Sequence, residues 1–234
     1  MTDRPVAVIA GIGPGLGSAL VRELHGRGYL VAGLARHGTV GEALEDELGE
    51  RFFYMPADVA DAESLRTAIA EAEANYGPIA VYIHNASMLS RKPFLELTSG
   101  EFDEVWRVSC CGAMVGASAV LPGMLRLERG TILFTGATAA VRGGAQFGAF
   151  ASAKFALRGL AQSLAREFQP QGIHVAHVII DGIILSERAE KVWGMQPEQC
   201  LAPASIARQY MALIDQPRDA WSHELDLRPA SERF

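Results

Sequence analysis

The chain is poor in the residues that build most compact, self-announcing sites. It has three cysteines, Cys110, Cys111 and Cys200, an odd and unpatterned set that argues against a disulfide framework and fits reduced thiols acting as small buried hydrophobes. Its six histidines show no metal-ligand spacing. His174 and His177, three apart in a strand-like run, fall on opposite faces. The net charge of −6 is spread without basic clusters, which speaks against a nucleic-acid partner. No apolar run reaches the length of a membrane span, so no membrane association is expected. The opening Met-Thr-Asp-Arg-Pro runs straight into a strand pattern, with no signal peptide expected, and a cytoplasmic protein follows. Repeats, low-complexity tracts and linkers are also missing, which leaves one domain over 1–234.

What is present is apolar and alternating. With 49% hydrophobic and 21% charged residues the chain can build a large core. Strand-like runs, near-continuous in Val, Ile, Leu and Ala, occur at 5–10, 29–35, 51–55, 79–84, 131–135, 173–180 and near 222–227. Helical patterns fill the gaps at 16–26, 40–49, 61–76, 99–121, 147–168 and 203–215. This alternation predicts an α/β fold: a doubly wound, Rossmann-like parallel sheet of about seven strands with helices on both faces. Residues 183–202 break the pattern. Ligands of such folds sit outside the carboxyl ends of the strands, so this stretch is expected to be a lid over cofactor and substrate. Trp193 and Met195 then either line a pocket or pack a surface loop onto the body.

The first strand–helix junction carries glycines at Gly11, Gly15 and Gly17, with Gly13 and Pro14 inside the turn. The spacing is G-x-x-x-G-x-G; the commoner G-x-G-x-x-G fails in either register at Leu16 or Ser18. Such a turn lets the backbone approach a pyrophosphate and aims amide N–H groups and a helix N-terminus at it. Gly11, Gly15, Leu16 and Gly17 are therefore expected at a dinucleotide. Arg36 ends the second strand, with Ala35 where an acid would hold the ribose hydroxyls of NAD. A guanidinium without that carboxylate suits a 2′-phosphate, so NADP(H) is preferred and NAD(H) remains possible.

These features, in this order, resemble the short-chain dehydrogenase/reductase family over nearly the whole chain. Ala57-Asp58-Val59 is similar to the segment that contacts adenine there; Asp58 is alternatively a cap for the helix at 61. His84-Asn85-Ala86-Ser87 stands where the family shows Asn-Asn-Ala-Gly, and Asp181-Gly182 with Ser186 where a Pro-Gly turn and a Thr are usual. The resemblance implies cofactor contacts from Asp58, Val59, Asn85, Ala86, Lys154, Gly182 and Ser186. His84 reads as a satisfied polar residue more readily than as a base, and Asp181 as a loop cap or a chemical group. The resemblance also implies a homodimer or homotetramer paired through the helices at 99–121 and 147–168.

The departures fall on the chemistry. The family's catalytic Tyr aligns with Phe150, its Ser with Ala137 and its Asn with Ser109; only Lys154 is retained. Thr138, one residue on, is a possible substitute hydroxyl. None of the five tyrosines lies near Lys154 in sequence. Losing a general acid typically costs about 10²–10⁴ in rate. Two functions stay open: an NADP(H)-dependent oxidoreductase acting on a carbonyl or alcohol without the usual proton relay, or an inactive cofactor-binding scaffold, sensor or oligomerisation partner.

Overall fold

The computed structural model of the chain describes residues 4–231, apart from the Arg188 side chain. Seven strands form one parallel sheet: β1 (Val6–Ala10), β2 (Leu30–Ala35), β3 (Phe52–Pro56), β4 (Ile79–His84), β5 (Gly130–Thr135), β6 (Ile173–Ile180) and β7 (Glu224–Leu227). Their order is β3-β2-β1-β4-β5-β6-β7. The winding direction therefore reverses between β1 and β4, which opens a crevice at their carboxyl ends.

Helices α1 (Leu16–Gly26), α2 (Gly38–Leu48) and α8 (Pro203–Ile214) cover one face of the sheet. Helices α3 (Ala62–Tyr76), α5 (Gly112–Arg126) and α6 (Gly148–Phe168) cover the other. Strand β1 shows how the sequence demands both layers. All five of its residues are buried; Val6, Val8 and Ala10 face the second layer, Ala7 and Ile9 the first. Its side chains alternate in direction yet none is polar, so neither face tolerates water. Each such buried Val or Ile contributes about 1.5–3 kcal/mol.

Three expectations need correcting. The helical pattern at 99–121 becomes α4 (Ser99–Trp106), a π-helical turn (Arg107–Cys111) and α5, which runs through Pro122 to Arg126. Burial of Gly123 and Met124 behind the proline carries the helix on despite the missing N–H. Ser99–Arg126 then does reach the length of a membrane span, and an 18-residue window within it has a mean hydropathy of 1.7, although 61% of that window is buried inside the protein. It packs against α3, β4 and β5, as the central helix of a globular core does. Second, the cap of α3 is Asp61, whose carboxylate accepts from Glu63 N and Ser64 N; Asp58 instead accepts from Ala60 N at 2.9 Å in the preceding turn. Third, only Cys200 is buried; the π turn leaves Cys110 partly exposed and turns Cys111 outward.

Residues 183–202 fold into a pinched loop. Its neck is closed by Leu201 N to Ile183 O (2.8 Å) and Leu185 N to Leu201 O (2.9 Å), and it carries the short α7 (Glu187–Trp193), capped by Ser186.

Candidate active site

A cleft of about 1650 Å³ opens at the carboxyl ends of the strands where the winding reverses. Every residue assigned to a cofactor from the sequence borders it, from the glycine turn and Arg36 to Gly182 and Ser186. Of the proton-relay positions, Phe150, Ala137, Thr138 and Lys154 border it and Ser109 does not. Ser109 is fully buried in the π turn, where its hydroxyl faces Met88 N at 3.5 Å. A shorter side chain than Asn, it stays inside the turn. Trp193 lines the cleft and Met195 does not.

The glycines divide the work of the turn. Gly11 has φ +99°, and a Cβ there would lie 2.5 Å from Ala86 N. A Cβ on Gly17 would lie 2.7 Å from the Cα of Ile12. Those two positions let the turn close on β4 and on α1. Gly13 and Gly15 are different: both border the cleft, and a Cβ on either meets nothing within 4 Å. No side chain caps α1 at Gly15. A helix N-terminus without a side-chain cap, beside open space left by glycines, fits a phosphate group.

A polar chain ties this turn to the rest of the site. Asn85 Nδ2 donates to Gly11 O (2.8 Å), and Asn85 Oδ1 accepts from the Thr135 hydroxyl (3.1 Å). The Thr135 hydroxyl has spent its one proton, so Tyr210 donates to it at 2.8 Å. Tyr210, fully buried on α8, has no sequence signal that places it here.

Lys154 projects from α6 into the same region, 1% exposed, and its Nζ donates to Thr135 O at 2.7 Å. Burial lowers its pKa to about 8. The Phe150 ring on the same helix face has its centroid 5.8 Å from that nitrogen. His84 lies beneath, outside the cleft, with Nε2 3.1 Å from Val108 O and Nδ1 3.3 Å from the Tyr82 hydroxyl. Burial, helped by the nearby Lys154 charge, pushes it down to about 3, so it is neutral and structural.

Thr138 borders the cleft one residue past Ala137, with its hydroxyl turned to Asp181. Its hydroxyl donates to Asp181 Oδ1 at 2.7 Å, so its proton is committed and only its lone pairs are left for the cleft. In this arrangement it presents a hydrogen-bond acceptor to the cleft. Asp181, 4% exposed, also meets Arg142 (3.3 Å) and Arg228 (3.5 Å).

The model of the family described as short chain dehydrogenase matches residues 5–196. The chain belongs to this family. A short-chain dehydrogenase from Rhodopseudomonas palustris has the same fold, with a TM-score of 0.84, 34% identity, and coverage of 96% of this chain and 98% of that one. An alcohol dehydrogenase from the archaeon Thermococcus sibiricus, solved with 5-hydroxy-NADP, has a TM-score of 0.87 at 28% identity, covering 99% of each chain. Among curated proteins, a probable galactose dehydrogenase of Rhizobium meliloti (strain 1021) is 30% identical over 88% of this chain and 84% of its own. The seven-stranded Rossmann-like domain and the cleft at its switch point are thus those of a short-chain dehydrogenase, a nicotinamide-dinucleotide oxidoreductase family.

Proposed function

We propose that this short-chain dehydrogenase binds NADP(H) and acts on a carbonyl or alcohol substrate without the family's Tyr-based proton relay, with slow turnover of generic carbonyls. The observation that carries this is the pairing of a complete dinucleotide cleft with a reacting end that keeps Lys154 but has Phe150 and Ala137 in place of hydroxyls. Glycine amides and the α1 N-terminus would hold the pyrophosphate, and Arg36, bordering the cleft beside His37 and Thr39, a 2′-phosphate. By family likeness Asp58 and Val59 would meet adenine, and Lys154 the nicotinamide ribose. When bound, the nicotinamide supplies or accepts a hydride. The chain's own residues then position, exclude water and steer a proton, and here no side-chain hydroxyl at 137 or 150 offers one. The loop at 183–202, with Ser186 and Trp193 on the cleft, serves as the lid.

Phe150 and Ala137 together favour a second reading, in which the protein binds its cofactor as a scaffold or sensor. Calorimetric titration with NADPH and NADH, followed by stopped-flow assay of NADPH consumption over a panel of aldehydes and ketones, separates the two. Binding with no turnover on any substrate leaves the second reading; binding of neither cofactor overturns both. In this proposal the protein is cytoplasmic, pairs with further copies of itself as a dimer or tetramer, and engages neither nucleic acid nor a bilayer.

A further inference from the structure

We infer that the outer half of the cleft takes a carboxylate-bearing molecule with an aromatic body. The inference rests on the cleft being the cofactor and substrate site proposed above, and it names the substrate class.

One wall of the cleft is a ladder of alternating charge and ring. The Lys154 ammonium lies 5.8 Å from the Phe150 centroid, Phe150 lies 6.4 Å from Phe147 at an interplanar angle of 54°, and the Arg91 guanidinium stands 5.8 Å from the Phe147 ring. All four side chains border the cleft. The ladder runs from a buried cation at the reacting end to an exposed one at the mouth, with both rings half-buried between them. Arg91 is steadied at the mouth by Nε donating to Gln146 Oε1 at 3.2 Å.

A second guanidinium borders the same space. Arg142 is 51% exposed and leans on the buried carboxylate of Asp181, itself fixed by Thr138 and Arg228. Asp181 is not part of the cleft wall, so it sets the direction of Arg142 from behind. Glu104 on α4 also borders the cleft, so with Asp181 behind Arg142 there are two carboxylates to the two guanidiniums, one of them outside the cleft wall.

Chemistry follows from this wall. Two tilted phenyl rings offer edges and faces to another ring and no hydrogen bonds. Ala137 and Phe150 offer no hydroxyl at their two positions, so a polyhydroxylated molecule finds no partner in them. Planar guanidinium forks at the mouth match a carboxylate, and Arg does this better than a point charge. An aromatic acid satisfies both halves; a neutral aromatic alcohol satisfies one, and an aromatic ammonium meets repulsion.

The test is calorimetry on NADPH-saturated and NADPH-free protein with three isosteric probes: 2-naphthoate, 2-naphthalenemethanol and 2-naphthylmethylammonium. Naphthoate is expected to bind about tenfold or more tightly than the alcohol, with the ammonium weakest. Arg91→Gln and Arg142→Gln should each cut naphthoate affinity several-fold, and the double variant should bind acid and alcohol equally. Phe147→Leu should weaken acid and alcohol alike, and Arg208→Gln on exposed α8 should change nothing. Arg91 lies outside the Asp181 cluster, so Arg91→Gln carries the test if Arg142→Gln fails to fold. Alcohol binding as tight as naphthoate, or a preference that survives the folded arginine variants, overturns the proposal. Failure of NADPH itself to bind counts against the cofactor reading, while the NADPH-free titrations still decide the acid site.

Discussion

Lys154 Nζ stands 5.8 Å from the centre of the Phe150 ring on the same face of α6, with the Thr135 carbonyl as its hydrogen-bond acceptor. A phenol in place of that ring would put a titratable hydroxyl beside a cation that favours its ionised form. The ammonium is in place; what it would activate is not.

Restoring the hydroxyls should therefore restore chemistry. Phe150→Tyr with Ala137→Ser is expected to raise NADPH oxidation from near background by about 10²-fold or more, the scale of a recovered general acid. Initial rates over a panel of aldehydes and ketones check this. Robust turnover by the unmodified protein would show that another group delivers the proton.

The glycine turn separates folding from binding. Gly11→Ala forces a methyl to within 2.5 Å of Ala86 N at φ +99°, and should cost about 2 kcal/mol or more of stability. Gly13→Ala adds a methyl to open space, so the urea midpoint should hardly move while NADPH affinity falls. Equal effects of both changes on stability would contradict this division.

Arg36→Ala should weaken NADPH binding by about tenfold and leave NADH binding nearly unchanged, because a guanidinium acts only where a 2′-phosphate is present. Parallel titrations of both cofactors read the difference directly. A protein that binds NADH as tightly as NADPH before any substitution removes the preference.

Buried histidines should make the protein acid-sensitive. Burial lowers the pKa of His84 to about 3 and of His177 well below its ordinary value, despite the opposing pull of Glu224 on the latter. Both are neutral in the folded state, whereas the unfolded chain takes up protons below about pH 6.5. The stability they contribute is fully present above that pH and is lost as pH falls toward the folded values. Each adds a slope of about 1.4 kcal/mol per pH unit in that window. Urea midpoints at pH 7.5, 6 and 5 should fall progressively, and a flat profile would rule the argument out.

Apolar side chains left outward on two helices predict self-association. Met114 on α5 and Phe155 on α6 are 46% and 45% exposed, and Cys111, just before α5, is also exposed. A helix apolar beyond its core-facing stripe needs a second partner. Light scattering at micromolar concentration should give a dimer or tetramer mass, with Met114→Glu and Phe155→Glu shifting it toward the monomer. A monomer before substitution would end the idea.

The order of strands and helices was legible because strands buried on both faces read as unbroken apolar runs, β6 being the fullest case with all eight residues covered. The cofactor cleft was legible for a related reason: its glycines answer to backbone geometry, which a local spacing records. The rest depends on distance in space. Nothing near Arg107–Cys111 announces a π turn, whose extra residue is absorbed by packing of both flanking helices. The cap of α3 falls on Asp61, three residues beyond the Asp58 that the sequence offered, because extended backbone at 61 turns its carboxylate onto Glu63 N and Ser64 N. Tyr210 reaches the site from α8 and Arg228 from just past β7, where the sequence has no local reason to mark them.

The hydrogen-bond chain from Gly11 through Asn85 and Thr135 to Tyr210 also sets the order in which the molecule can be made. Its members come from the residues just past β1 and β4, from β5 and from α8, and its links span up to 75 residues. During synthesis at roughly 5–20 residues per second, the glycine turn emerges first yet lacks its last support until α8 has left the ribosome. A dinucleotide reaching the turn before α8 is in place would therefore meet a site still lacking the Tyr210 end of this chain.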